Sequence, residues 1–138
     1  MIQLNSITFR YANSVIFQDF NWQVQSGEAW AVLGPSGCGK STLLTLLAGL
    51  RAPQSGQILV GGQPLTGPRP QTGLILQDYG LLPWATVEEN ASLGLRLRQF
   101  YGPDGRHAPS NEENFTTERS HRWLARLGLE NLADKYPA

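Results

Sequence analysis

Cysteine, histidine, long apolar runs and any excess of one charge are scarce in this 138-residue sequence, and each scarcity removes a class of protein. The single Cys38 cannot close an internal disulfide, which excludes a disulfide-stapled scaffold and fits a reducing cytoplasm. Lys and Arg number 11 and Asp and Glu 11, so the chain lacks the basic excess that binding nucleic acid through its phosphates requires. The longest strongly apolar stretch, residues 43–50, is interrupted by Thr45 and Gly49 and is far shorter than the roughly 20 residues of a bilayer-spanning helix. Met1-Ile2-Gln3-Leu4-Asn5 carries neither a positive cluster nor an apolar run, so no signal peptide is read there. What remains is one soluble globular domain or a fragment of one, with 41% hydrophobic residues to build a core.

Glycine is plentiful, at 15 residues, and it punctuates the pattern. Apolar positions nearly alternate through residues 1–26, with Ile7 and Phe9 in one run and Phe20, Trp22 and Val24 in another. That period predicts half-buried antiparallel strands, ended by a turn at Ser26-Gly27. Residues 29–33 form a continuous apolar run of strand length, followed by a glycine-rich loop and a leucine-rich helix over 41–48. Gly49 and Pro53 end that helix, residues 57–60 with Gly61-Gly62 predict a strand entering a hairpin, and 73–76 predict a second buried strand. Thr86 and Glu89 have capping-box spacing ahead of Ala91, Leu93, Leu95 and Leu97, which predicts a helix. Residues 101–114 read as a polar loop, and a last helix carries Phe115, Trp123, Leu124 and Leu127 and stops at Gly128.

The chemistry lies between the 29–33 run and the helix after it. Gly34-Pro35-Ser36-Gly37-Cys38-Gly39-Lys40-Ser41 satisfies G-x-x-x-x-G-K-[ST] in the strand–loop–helix context that the motif requires. Its glycines let successive backbone amides curl inward at phosphate oxygens, and the following helix turns its unpaired amides toward the same anion. Lys40 is placed to reach the β and γ phosphates, Ser41 to ligate magnesium and Thr42 to contact a phosphate nearby. Cys38 has no catalytic partner in view, since His107 and His121 are remote, and reads as a small loop residue. Beside a helix N-terminus its thiol is nonetheless expected to react with thiol reagents and to be protected by nucleotide.

Flanking residues separate the P-loop families. Phe9-Arg10-Tyr11, Ser26-Gly27-Glu28, the phosphate loop with Thr42-Leu43-Leu44, Ala48-Gly49-Leu50, Ser55-Gly56, Leu76-Gln77, Thr86-Val87 with Asn90, Leu127-Gly128-Leu129 and Tyr136-Pro137 follow one order and spacing. Through them the chain resembles the ATP-binding subunits of ABC transporters along essentially its whole length. Leu81-Leu82-Pro83-Trp84 with Thr86-Val87 is most similar to the branch of importers for nitrate, sulfonates or taurine.

The resemblance implies an α/β fold, a P-loop NTPase with an N-terminal antiparallel β subdomain and the start of a helical subdomain, truncated. Residues 1–78 would be the β subdomain and P-loop core, and 79–138 the Q-loop region and helical subdomain. It implies that Tyr11 stacks on adenine, the alternative being a packed core tyrosine, and that ATP is held by Gly34, Pro35, Ser36, Gly37, Cys38, Gly39, Lys40, Ser41 and Thr42. It implies Mg2+ at Ser41 and Gln77, with Gln77 also contacting the attacking water, the alternative being a solvated strand end. Its partners would be a transmembrane permease subunit and a second ATP-binding subunit, head to tail, on the cytoplasmic inner face of the cell membrane.

The family continues from the Tyr-Pro position into the LSGGQ signature, the Walker B strand and the switch histidine, none of which occurs in these 138 residues. Hydrolysis needs a group that positions water, so nucleotide binding is the activity expected of the chain as it stands. Two other readings stay open. One is a non-catalytic module that binds nucleotide or docks a membrane partner through residues 80–138. The other is a small P-loop phosphotransferase, since GPSG-x-GK also resembles the guanylate kinase loop. A GTPase is disfavoured because no Asn-Lys-x-Asp segment occurs.

Overall fold

The computed structural model describes residues 1–101 and 113–137, with side chains described for 1–97 and 118–137. The chain divides into two compact units, Met1–Leu74 and Ile75–Ala138. Most of the predicted polar loop, 102–112, and the side chain of Phe115 lie outside the described residues.

The first unit is built on an antiparallel sheet of four strands in the order β2-β1-β3-β4. These are β1 (Ile2–Tyr11), β2 (Ser14–Val24), β3 (Ser55–Val60) and β4 (Gln63–Pro64). Strict alternation cannot place Leu4 and Ile7 on one face, yet both are buried, together with Phe9. A break in the β1–β2 register between Leu4 and Ile7 rephases the strand, with Ser6 at φ 48° and its amide donating to Asn21 Oδ1 at 2.7 Å. Gly56 makes room for this bulge on the other side, since a Cβ there would meet Ser6 O at 2.3 Å. Gly61 and Gly62, at φ 61° and 78°, close the predicted hairpin between β3 and β4.

Helix α1 (Lys40–Leu47) buries Leu43 and Leu46 against Leu4, Ile7, Phe9 and Ile58 of the sheet. Each such leucine contributes about 1.5–3 kcal/mol by leaving water, and this burial seats the helix whose first turn carries the phosphate loop. Gly49 at φ 74° ends α1 and lies so close to the 67–68 backbone that a Cβ would meet Gly67 O at 2.2 Å.

Two predicted strands are not formed. Residues 29–33 and 73–76 have no regular secondary structure and pair with no strand among the described residues. Leu33 is 90% and Ile75 87% exposed. A continuous apolar run suits a strand buried on both faces, but the run becomes one only when a neighbour completes its ladder.

The second unit packs α2 (Val87–Tyr101) on α3 (Glu113–Arg126), followed by a short 3-10 turn, Glu130–Leu132. The predicted capping box is made: Thr86 N–H donates to Glu89 Oε2 at 2.7 Å and Glu89 N–H to Thr86 Oγ1 at 3.2 Å. Carbonyls of Lys135 and Ala133 accept the next amides, those of Val87 and Glu88, so the N-terminus of α2 is closed by protein. Asn90 ties the preceding loop down, donating to Leu82 O, Ala85 O and Thr86 O and accepting from Leu82 N–H. His121 Nε2 of α3 meets Glu88 Oε1 of α2 at 2.5 Å, and Gly128 at φ 70° ends α3 as predicted. Removing the Thr86 cap by Thr86→Ala is expected to cost about 1 kcal/mol, read as an earlier urea transition in the helical circular dichroism. An unchanged midpoint would mean that the cap contributes nothing.

Candidate phosphate-binding site

The first unit holds most of the candidate residues. Residues 34–38 are exposed and curl into the N-terminus of α1, with Gly37 and Gly39 at φ 79° and 102°, a backbone region open to glycine at little cost. Gly39 has a second reason to lack a side chain: a Cβ would come within 2.6 Å of Ile16 Cγ2 and 3.3 Å of Phe17 Cζ. Strand β2 therefore braces the loop from behind through Ile16 and Phe17, a role that nothing in the local spacing of the motif signals.

The N-terminus of α1 contrasts with that of α2. Gly39 makes no side-chain cap and the first turn holds no acidic residue, so the amides and positive dipole end are left for an external anion. Lys40 is folded back into the loop, its Nζ donating to Gly34 O at 2.8 Å and Pro35 O at 2.7 Å and lying 3.7 Å from Cys38 Sγ. Those two carbonyls hold the ammonium at the mouth of the curl. Ser41 is exposed on the first turn, while Thr42 is buried at 9% exposure. Cys38 is an exposed free thiol.

The segment leading into the loop is fixed at its start by Glu28. The Trp30 indole N–H and the Gln25 amide both donate to Glu28 Oε2, at 2.9 and 2.8 Å, and hold this exposed carboxyl below its ordinary value. Its pKa is lowered by folding, so the contribution is complete above the ordinary carboxylate range and is lost as pH falls through the lowered value.

Tyr11 ends β1, 39% exposed. Its ring meets Phe9 edge to face at 4.9 Å, and the Arg51 guanidinium stands over it at 5.0 Å from the centroid. Arg51 was not singled out by sequence, since no spacing rule joins positions 40 residues apart. Gln77 belongs to the second unit, exposed, at the start of the turn 77–80 rather than at a strand end. A depression of about 370 Å³ on α3, lined by Glu118, Arg119, Arg122, Trp123 and Arg126, contains no residue of the phosphate motif.

The family model described as ABC transporter matches residues 17–138. A Brucella abortus (strain 2308) protein named for ATP binding is 38% identical over 136 residues, which is 99% of this chain and 48% of that protein. The taurine import ATP-binding protein TauB of Escherichia coli O157:H7 is 36% identical over 136 residues, covering 99% of this chain and 49% of its own. The chain thus spans about half the length of the curated relatives it matches. Among solved structures, the dimeric ATP-binding cassette MJ0796, in a post-hydrolysis state with ADP and Pi, is similar with a TM-score of 0.77 at 22% identity, over 99% of this chain and 62% of that one. The cbiO1 protein of Clostridium perfringens, part of the transporter complex cbiONQ, gives 0.72 at 26% identity, over 98% and 53%. These likenesses bear out the expected α/β P-loop fold with its N-terminal antiparallel sheet.

Proposed function

We propose, since this chain belongs to the ABC transporter family, that residues 34–42 hold the phosphates of ATP and that the whole protein is the ATPase subunit of a membrane importer. The observation that carries the reading is the loop itself. Left-handed glycines curl it, Lys40 Nζ is held at its mouth by Gly34 O and Pro35 O, and it opens onto the uncapped N-terminus of α1. Such a concavity suits a polyphosphate because oriented amides and one ammonium oppose its charge without a conformational search.

In this reading Tyr11 offers its ring to adenine, and the exposed Ser41 hydroxyl serves as a protein ligand to magnesium that is otherwise held by phosphate oxygens and water. The ion would supply charge neutralisation between the β and γ phosphates. Gln77 would contact the metal or the attacking water. Similarity to taurine import subunits supports the importer branch, with a transmembrane permease and a second ATP-binding subunit as partners at the cytoplasmic face of the cell membrane. Among the described residues no helix is long and apolar enough to cross a membrane, which is compatible with that peripheral role.

Titration of the purified chain with Mg-ATP tests the proposal. Saturable binding is expected, displaced by inorganic tripolyphosphate and by ADP but not by AMP, because the loop reads the β and γ phosphates. Absence of saturable binding, or displacement by AMP as effective as by ADP, would overturn it.

A further inference from the structure

We infer that Arg51 and Gln54, on the connector between α1 and β3, are positioning residues for the base of the nucleotide; this rests on reading Tyr11 as the adenine platform. The connector is strapped at both ends. Leu50 and Arg51 amides donate to Thr45 O at 3.0 and 3.3 Å, which ties it to α1, and the Gln54 amide donates to Thr8 O at 2.9 Å, which ties it to β1. From that strap two side chains reach the end of β1. The Gln54 amide group clips Arg10 on both backbone atoms, accepting from Arg10 N–H at 2.9 Å and donating to Arg10 O at 3.1 Å. This fixes the residue immediately before Tyr11.

Arg51 then acts on the ring itself. A guanidinium 5.0 Å from the Tyr11 centroid covers one face by a cation–π contact, and Phe9 limits rotation in the T-shaped pair at 4.9 Å. Tyr11 stays 39% exposed with both neighbours in place, and a flat ligand would stack on the ring surface that they leave uncovered. Holding the ring in one plane before the base arrives removes the ordering cost that a free tyrosine would incur on binding. The same strap begins at the end of the helix that the phosphate loop enters, so the connector's hydrogen bonds tie the strand bearing the base platform to that helix. Arg51 and Gln54 thereby fix where a base stands relative to its own phosphates.

Dissociation constants for Mg-ATP and for magnesium tripolyphosphate, measured on the full chain and on Arg51→Ala, Arg51→Lys, Gln54→Leu and Tyr11→Ala, separate this from a merely structural role. Arg51→Ala is expected to weaken ATP about two- to fivefold, the worth of an exposed cation–π contact, with tripolyphosphate unchanged and ATP affinity partly restored by Arg51→Lys. Gln54→Leu is expected to move ATP in the same direction, again sparing tripolyphosphate. Unchanged tripolyphosphate binding also reports that the phosphate loop remains folded in each variant. Equal ATP affinity in Arg51→Ala, or an equal loss for both ligands, would overturn the inference, the second because Arg51 would then act as a charge for phosphate. Failure of the parent chain to bind either ligand would instead overturn the proposed phosphate site, and Tyr11→Ala without effect on ATP would remove the platform on which the inference rests.

Discussion

Lys40→Ala is expected to lower the affinity for Mg-ATP about a hundredfold or more while leaving the thermal midpoint of the chain nearly unchanged. The ammonium is the one cation held at the mouth of the phosphate loop among the described residues, and its bonds to Gly34 O and Pro35 O are exposed ones that water replaces at little cost. On phosphate the balance differs, because a hydrogen bond between two charged groups contributes about 1.5–3 kcal/mol and Lys40 is placed to make more than one. Lys40→Arg should not restore binding, since a planar guanidinium is larger than the ammonium that Gly34 O and Pro35 O hold. Parallel measurement of binding isotherms and melting curves decides the matter. Retained affinity would show that the backbone amides bind the nucleotide unaided, and a large drop in melting temperature would show that Lys40 holds the loop rather than the ligand.

The largest stability effect is expected at Leu46, fully buried where α1 meets Leu4, Ile7, Phe9 and Ile58. Leu46→Ala removes most of a side chain from a packed interior and should cost about 2–5 kcal/mol, whereas the volume-conserving Leu46→Met should cost less than about 1.5 kcal/mol. Because the chain has two compact units, the urea transition is best followed by a probe in the first, such as the fluorescence of Trp22 and Trp30, whose rings meet edge to face at 5.6 Å, in a background with Trp84→Phe and Trp123→Phe that silences the second unit. Nucleotide affinity should fall with stability in Leu46→Ala, since a loosened α1 no longer presents its first turn. Similar costs for alanine and methionine would mean that α1 is not seated on the sheet as described.

Local signals carried well into the structure. The β1–β2 and β3–β4 pairs, α1 with its glycine stop and the Thr86–Glu89 capping box all follow from spacing within a few residues, where side-chain period and backbone preference act alone. The curl of residues 34–39 into α1 is legible for the same reason, because the motif is a run of consecutive residues whose glycines set the backbone. The 29–33 and 73–76 runs do not become strands because apolar content measures readiness to be buried, and a strand also needs neighbours that a local window cannot contain. The bulge at Ser6 is not written in the near-alternation of residues 1–26: Leu4 and Ile7, at an even and an odd position, are both buried only because the register shifts between them.

The sequence by itself therefore determined the glycine-rich loop motif, the P-loop fold class and the family, since these are written in short, ordered motifs of neighbouring residues. Tertiary structure alone decided that Ile16 and Phe17 back Gly39, that Gly56 receives the β1 bulge, that Arg51 stands over Tyr11 and that Gln54 clips Arg10. Each of these joins residues far apart along the chain, and such contacts are set by how α1 packs on the sheet, a three-dimensional fit that no one-dimensional period encodes.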